Sequence, residues 1–421
     1  MPPVRDKPIT RSHDVVLVTA VMACCVAAAG CMGSWAIRGT RLHYNQSYSD
    51  TASQEMLLNI VRMRYGETPS FLDLPAITSL TEASTNGVAG QPPKASDWFL
   101  GKFVLRDEPT LAYQPRSGDN LQRSLMKPFT AELLLDVAPG QDNYTFLRAF
   151  VDSINGVRNS PAATSVGSRV LEPNDDFRYA IDLVNGLEDR SALRLRVATQ
   201  DVEAHGGVPA KSLSGGIKVA GAGIVAARKK GYFYEVAGDD VTLVKKSRLL
   251  ALLVAPEEQG AGDFQELARM FRLDLGRSVY VVKSQENDEF DYLNGATGDA
   301  PLGEPTDTLT LNVRSGYQVL AFLSKGVDVP AKHLRQGAAC GFKAPDGRPF
   351  DARQLTRGLF QVCVQKHRPL RSEVAVYYRG HWFYIAEGDV ASRSTLNFVK
   401  LAIDLQSQSG VAGPVLTLPL N

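Results

Sequence analysis

The sequence predicts an α+β body behind a cleaved export signal, and three observations carry that reading. An N-terminal apolar run stops too soon to span a membrane. The chain after it switches between helical and alternating apolar periodicity without a sustained repeat. Near the C-terminus, a two-residue turn joins two strands rich in aromatic residues.

Arg5, Lys7 and Arg11 lie among prolines in residues 1–14, and residues 15–29 follow without a charge. A spanning helix needs roughly 20 apolar residues, so this run suits a signal segment of about 30 residues better than a permanent span. It closes on Ala28-Ala29-Gly30-Cys31, with small side chains where a peptidase must hold the extended backbone. Residues 31–47 then read as a tether. Of 421 residues, 391 remain after 1–30, enough for two or three domains at about 150 residues each. The expected divisions are an N-terminal α+β region over 48–160, a middle α/β region over 161–260 and a C-terminal α+β region over 261–421. A formal charge of +1 with no basic block gives no footprint for nucleic acid.

Ser49-Asp50-Thr51 offers caps for an amphipathic helix over 52–65, with Met56, Ile60 and Met63 at helical spacing, closed by Gly66 and Pro69. Residues 71–79 look extended and 85–96 read as a loop, with short strands at 99–105 and 110–113 and helical pieces at 119–126 and 133–136. A helix over 146–154 ends at Asn155-Gly156. Two helix-then-strand units follow, 176–187 with 193–197 and 263–271 with 279–282. Between them, strands 232–236 and 241–244 flank a turn at Gly238-Asp239-Asp240. A strand over 308–313 leads into a helix through Leu323 that Gly326 caps, and 338–351 is a polar loop. Strands 373–378 and 381–387 turn at Arg379-Gly380, which sets Tyr378 opposite His381, Val376 opposite Phe383 and Val374 opposite Ile385. Ser392 or Ser394 caps a last helix to 406, and 415–418 is a final strand.

Candidate chemistry is sparse. Gly221-Ala222-Gly223-Ile224-Val225-Ala226 matches a dinucleotide fingerprint, but Gly231 stops the following helix and Glu235 comes too early for the ribose, so a glycine-rich loop is expected. His43, His205, His333, His367 and His381 are scattered, without HExxH or paired CxxC spacing, so no metal or cofactor is expected. Ser324-Lys325 lacks the spacing of a Ser-Lys hydrolase. Glu387 and Asp389 suggest paired carboxylates for sugar cleavage, but they better fit the turn and the acidic N-terminal side of the next helix. Tyr377, Trp382 and Tyr384 share one face of the aromatic hairpin, where they serve as core or as a binding surface. Cys340 and Cys363 remain after the signal is removed and Cys31 is used, either bridged by a disulfide or held as two separately buried thiols.

The residues ending at Cys31 resemble the lipobox of bacterial lipoprotein precursors. Leu57-Leu58-Asn59-Ile60-Val61-Arg62 with Arg64-Tyr65, Ser153-Ile154-Asn155-Gly156, Tyr378-Arg379-Gly380 with Trp382-Phe383-Tyr384-Ile385, and Pro414-Val415-Leu416 are similar to an uncharacterised family of bacterial envelope lipoproteins. That resemblance implies lipidation of Cys31 with palmitate-type chains and a membrane anchor, with no reaction to carry over. Met32 in place of aspartate favours the outer membrane, facing the periplasm, over the inner one. The expected role is non-catalytic binding or scaffolding of an envelope protein partner. An envelope hydrolase acting on cell-wall glycan or peptide, and a glycan- or lipid-binding module, are the alternatives.

Overall fold

The computed structural model describes residues 42–85, 103–115, 125–131, 133–134, 144–165, 167–209, 232–237, 240–284 and 305–408. Within them the fold is α+β with mostly antiparallel sheets, as the sequence predicts. The signal segment with Cys31, the Gly221–Ala226 run and the strand expected at 415–418 lie outside the described residues. The chain divides into residues 1–56 and residues 57–421.

Helix α1 covers residues 42–64, taking in part of the expected tether. The serine and threonine hydroxyls near its start do not cap it. Thr51 Oγ1 donates to Ser47 O at 2.7 Å and Ser53 Oγ to Ser49 O at 2.9 Å, the back-bonding that lets these residues sit inside a helix. Its end is as the sequence marks it. Gly66 takes φ +81°, and Glu67 N donates to Arg62 O while Gly66 N donates to Met63 O, closing the helix in a Schellman motif.

Strands β1 (Leu72–Thr85) and β2 (Phe103–Pro115) form an antiparallel two-stranded sheet. β2 is one strand where the sequence divides it in two, running through Pro109 opposite Ser79; an edge strand tolerates the missing proline N–H. The helix expected over 146–154 is also corrected. A 3-10 turn (Tyr144–Phe146) and one turn of helix, α2 (Leu147–Phe150), give way to β3 (Val151–Ile154). Asn155 and Gly156, at φ 45° and 88°, make the tight turn into β4 (Val157–Arg158). An Asn-Gly pair satisfies both left-handed positions of such a hairpin, so it reverses a strand here and does not stop a helix.

Both helix-then-strand units fall where the sequence places them: α3 (Asp175–Asp189) with β5 (Leu193–Pro209), and α4 (Gly262–Phe271) with β8 (Val279–Ser284). Between them β6 (Tyr232–Ala237) pairs with β7 (Asp240–Val254) in the expected hairpin, Val236 opposite Val241. With β9 (Thr308–Val313) these strands form one seven-stranded sheet of order β4-β3-β9-β8-β7-β5, β6 lying beside β7. The regions drawn at 48–160, 161–260 and 261–421 therefore share a sheet, because β3 pairs with β9 and β7 with β8 across both boundaries.

Helix α5 (Gly316–Leu323) starts on a capping box between Ser315 and Gln318, and Val319 to Leu323 are all buried. A helix apolar on every side belongs in the core. Gly326, expected to cap it, serves a different end: a Cβ there would collide with Thr356 Oγ1 and the Phe360 carbonyl oxygen. Then come α6 (Ala331–Arg335), a small hairpin of β10 (Phe342–Lys343) and β11 (Pro349–Phe350) inside the expected loop, and a three-stranded sheet. That sheet has the order β12 (Cys363–Gln365), β14 (His381–Ala386), β13 (Ser372–Tyr378), followed by α7 (Val390–Gln408).

A knot of polar side chains sits in the apolar core. The Arg314 side chain is fully buried. Its Nη1 donates to Arg148 O and Ala149 O at 3.1 and 3.0 Å, its Nη2 to Asn159 O at 2.5 Å and its Nε to Asp152 Oδ1 at 3.3 Å. The guanidinium also lies 4.0 Å from the Phe322 ring centroid. Asn159 Nδ2 donates to Arg148 O and Val151 O, and Asn174 Nδ2 to Asn159 Oδ1 and Leu355 O. Arg148 Nη2 reaches the carbonyls of Leu355 and Arg357. Burial pulls Arg314 down to about 10, against the pull of Asp152.

Asn159→Ala would leave two buried carbonyls and the Asn174 amide short of partners. We expect it to cost about 3 kcal/mol in denaturant unfolding. Arg178→Ala, which removes an exposed pair with Asp175, should cost less than about 0.5 kcal/mol. Equal effects of the two would contradict the role of the knot.

Candidate functional site

The aromatic hairpin has the register its two-residue turn dictates: Tyr378 faces His381, Tyr377 faces Trp382, Val376 faces Phe383 and Val374 faces Ile385. Alternation splits the aromatics between two faces. Val376, Phe383 and Ile385 are buried. On the other face Tyr377 is 60% exposed, with Trp382 and Tyr384 half-buried. The Tyr377 and Trp382 rings pack with centroids 5.5 Å apart, and the Arg368 guanidinium lies 5.4 Å from the Trp382 ring. Tyr384 Oη donates to Gln365 Oε1 at 3.3 Å, from β12, a strand the sequence does not announce.

Behind the hairpin lies a cluster that sequence spacing does not bring together. Tyr65, at the end of α1, packs edge-on against Tyr378, Phe383 and His333. Its hydroxyl bonds His333 Nδ1 at 2.7 Å. Burial pushes the phenol up to about 12, so it is the donor and a neutral imidazole the acceptor. His333 is held below its usual value by burial first and then by His381, Arg379 and Lys332. The ring of His381 meets it at 4.8 Å. Glu67 accepts from both Tyr378 Oη and Arg379 Nη2, at 2.5 and 2.8 Å, fastening the turn to the loop after α1.

Beside this cluster is a cleft of about 390 Å³, lined by Arg64, Lys325, Asp328, Arg353 and an apolar set that includes Val329 and Phe342. Lys325 is only 3% exposed. It donates to Ser165 O at 3.1 Å and sits 4.9 Å from the Phe342 ring centroid. Arg64 Cζ lies 4.6 Å from the same ring, and Arg64 Nη1 donates to Cys340 O at 3.0 Å. Arg64 Nε is buried without a hydrogen-bond partner among the described residues. Burial, with the neighbouring Arg64 charge, lowers Lys325 to about 8. The carboxylates nearby are already engaged: Arg353 holds Asp351 through Nε and Nη2 and reaches Asp328 through Nη1. The sequence carried a signal for both cations. Arg64 falls three and seven residues after Val61 and Leu57, on the buried stripe of α1, and Lys325 is the one cation in the largely apolar run 319–329.

Cys340 and Cys363 are both free and exposed, and no disulfide joins them. They lie in different surroundings, Cys340 near Arg64 and Lys325, Cys363 near Asp328, Asp389 and Arg353. Of the two candidate carboxylates, Asp389 takes the helix-start role. Asp389 caps α7, accepting from Ser392 N at 3.0 Å and Ser392 Oγ at 2.6 Å, so the serine expected to cap that helix is itself held by the cap. Among the described residues no three metal-ligating side chains converge. No family model, curated protein or solved structure matches the chain.

A neutral His333 makes stability depend on pH. With its folded pKa below the unfolded value, no penalty applies above about pH 6.5, and stability falls as pH drops from there towards the folded pKa. Urea unfolding of His333→Gln should show a shallower loss between pH 7 and 5 than the parent; an unchanged slope would contradict a buried neutral histidine.

Proposed function

We propose that this chain is a lipid-anchored bacterial envelope protein, held through Cys31 at the outer membrane, whose body binds or scaffolds another envelope protein without turning over a substrate. The observation that carries the binding role is the Tyr377–Trp382 pair with Arg368 beside it. Tyr, Trp and Arg are the residue types that dominate interface energetics, because each buries a large rigid surface and keeps a polar handle. Leu370, fully exposed in the β12–β13 connection, adds apolar surface to the same stretch of chain. The anchor rests on the run ending Ala29-Gly30-Cys31; two acyl chains suffice for a stable anchor where one does not.

Crosslinking in membranes followed by affinity capture should enrich a discrete envelope protein with the parent chain, and recover much less of it with Trp382→Ala. Equal recovery would contradict the reading, and retention on cell-wall glycan that is lost with Trp382→Ala would assign the face to carbohydrate. Cys31→Ala should abolish labelling by a palmitate analogue.

Strand length favours a second reading. β1, β2, β5 and β7 run 14, 13, 17 and 15 residues, against about 5–6 in typical soluble sheets and about 9–11 for a strand that crosses a membrane. A two-stranded sheet such as β1–β2 is marginal by itself in water, and its edges are pairing surfaces. Copies anchored side by side could pair such edges and close a barrel, the β-structure that satisfies every backbone group in lipid. The full chain in mild detergent should then migrate as a heat-modifiable oligomer; a monomer at all detergent concentrations would exclude it.

A further inference from the structure

We propose that the cleft between the end of α1, the Ser324–Gly326 turn and the β10–β11 hairpin is a binding site for a small organic oxyanion, a carboxylate or phosphate carried on an apolar body. The proposal is independent of the aromatic face described above.

Three observations bear on it. The first is cationic charge without a contacting counter-ion among the described residues. Arg64 and Lys325 face one ring, Phe342, and their hydrogen-bond acceptors among the described residues are the Cys340 and Ser165 carbonyls. Burying a cation is costly unless a counter-charge meets it. Asp328 acts on Arg64 at a distance, but among the described residues neither it nor Asp351 makes a hydrogen bond or ion pair with Arg64 or Lys325, both carboxylates being bonded to Arg353. The second is the buried Arg64 Nε, a donor with no acceptor among the described residues. In a native fold such an orphan calls for an explanation, and a guanidinium is the side chain best shaped to receive a carboxylate or phosphate in a fork. The third is the rest of the lining. Val327, Val329, Leu334, Phe342, Pro349 and Phe350 make the wall beside the cations apolar, and a cavity of about 390 Å³ lies within the range of small-molecule sites.

The cations are therefore held for a ligand, at a cost to the stability of the fold. Lys325→Met replaces a buried charge by an apolar chain of similar length, so it should leave stability unchanged or raise it while weakening anion binding. A lysine with a structural role would do the reverse. Binding should also follow protonation of Lys325. The charged and titratable groups facing it are Arg64 and Cys340, with Asp328, Asp351 and Arg353 around the cleft. As pH rises through about 8, Lys325 loses its proton and the affinity for an anion falls.

Calorimetric titration of the full-length protein in non-ionic detergent, with phenyl phosphate, benzoate and inorganic phosphate as probes, tests this. We expect saturable binding of phenyl phosphate or benzoate at pH 7, weaker at pH 9.5, and reduced about tenfold or more by Lys325→Met and by Arg64→Met, the loss of a charge-assisted bond. Which of the two organic probes binds tighter decides between phosphate and carboxylate. Thermal unfolding of Lys325→Met, at or above the parent, separates this from misfolding. If either variant fails to fold, the pH dependence and the ligand-induced rise in the parent's melting temperature carry the test. Absence of saturable binding by any probe, or binding indifferent to both substitutions and to pH, would overturn the site. Equal affinity for inorganic phosphate would overturn the need for an apolar body.

Discussion

A guanidinium with no exposed surface must find partners for its donors inside the protein, and the way Arg314 does so shapes what surrounds it. Its acceptors are the carbonyls of Arg148, Ala149 and Asn159 together with the Asp152 carboxylate. In a continuous helix, carbonyls 148 and 149 would be taken by amides one turn on. Here Arg314 and Asn159 take them, and the chain is free to leave helix at Val151 and enter the sheet. The charge pins β3 to the end of β9, where Arg314 N also donates to Phe150 O at 2.7 Å. Removing one member would strand the others, which is why such networks contribute more as wholes than as pairs.

The same knot fixes the ground on which the cleft stands. Arg148 and Asn174 hold the Leu355 carbonyl, and Arg148 holds that of Arg357. The segment 352–357 is thereby set against the sheet. Gly326 packs against Thr356 and Phe360 with no room for a side chain, and Asp328 N donates to Val362 O at 2.9 Å. These contacts put Arg353 within reach of Asp328 and Asp351 and leave Lys325 facing Phe342 beside Arg64. A rigid scaffold positioned this way can hold buried charge apart from its counter-ions.

What was legible in the sequence was local. The α+β class, the Gly66 stop, both helix-then-strand units and the pairing register of β13 with β14 follow from periodicity and turn chemistry within a few residues. What failed depended on distant partners. Residues 146–154 have a helical apolar pattern, yet long-range bonds to Arg314 and the pairing of β3 with β9 decide their state. Domain boundaries drawn from length and composition cut through a sheet whose strands come from all three regions. Ser392 read as a cap because serine often is one, while the acceptor is Asp389. Of the candidate site residues, Tyr377, Trp382 and Tyr384 were nameable because a two-residue turn fixes their face. Lys325 is weighed only beside Ser324 as a hydrolase pair and Arg64 only as part of a resemblance, although each sits where the apolar pattern calls for a hydrophobic residue.

The account stands on residues 57–408 being one cooperative body held at Arg314, so that the cleft and the hairpin share its rigidity. Native-state hydrogen exchange on the full chain measures this directly. The amides of Asn159, Arg314, Asp328 and Val362, each donating to a backbone carbonyl, should open with one common free energy equal to that of global unfolding. Distinctly lower values for Asp328 and Val362 than for Asn159 and Arg314 would mean that the cleft belongs to a separately unfolding part, and would contradict the account.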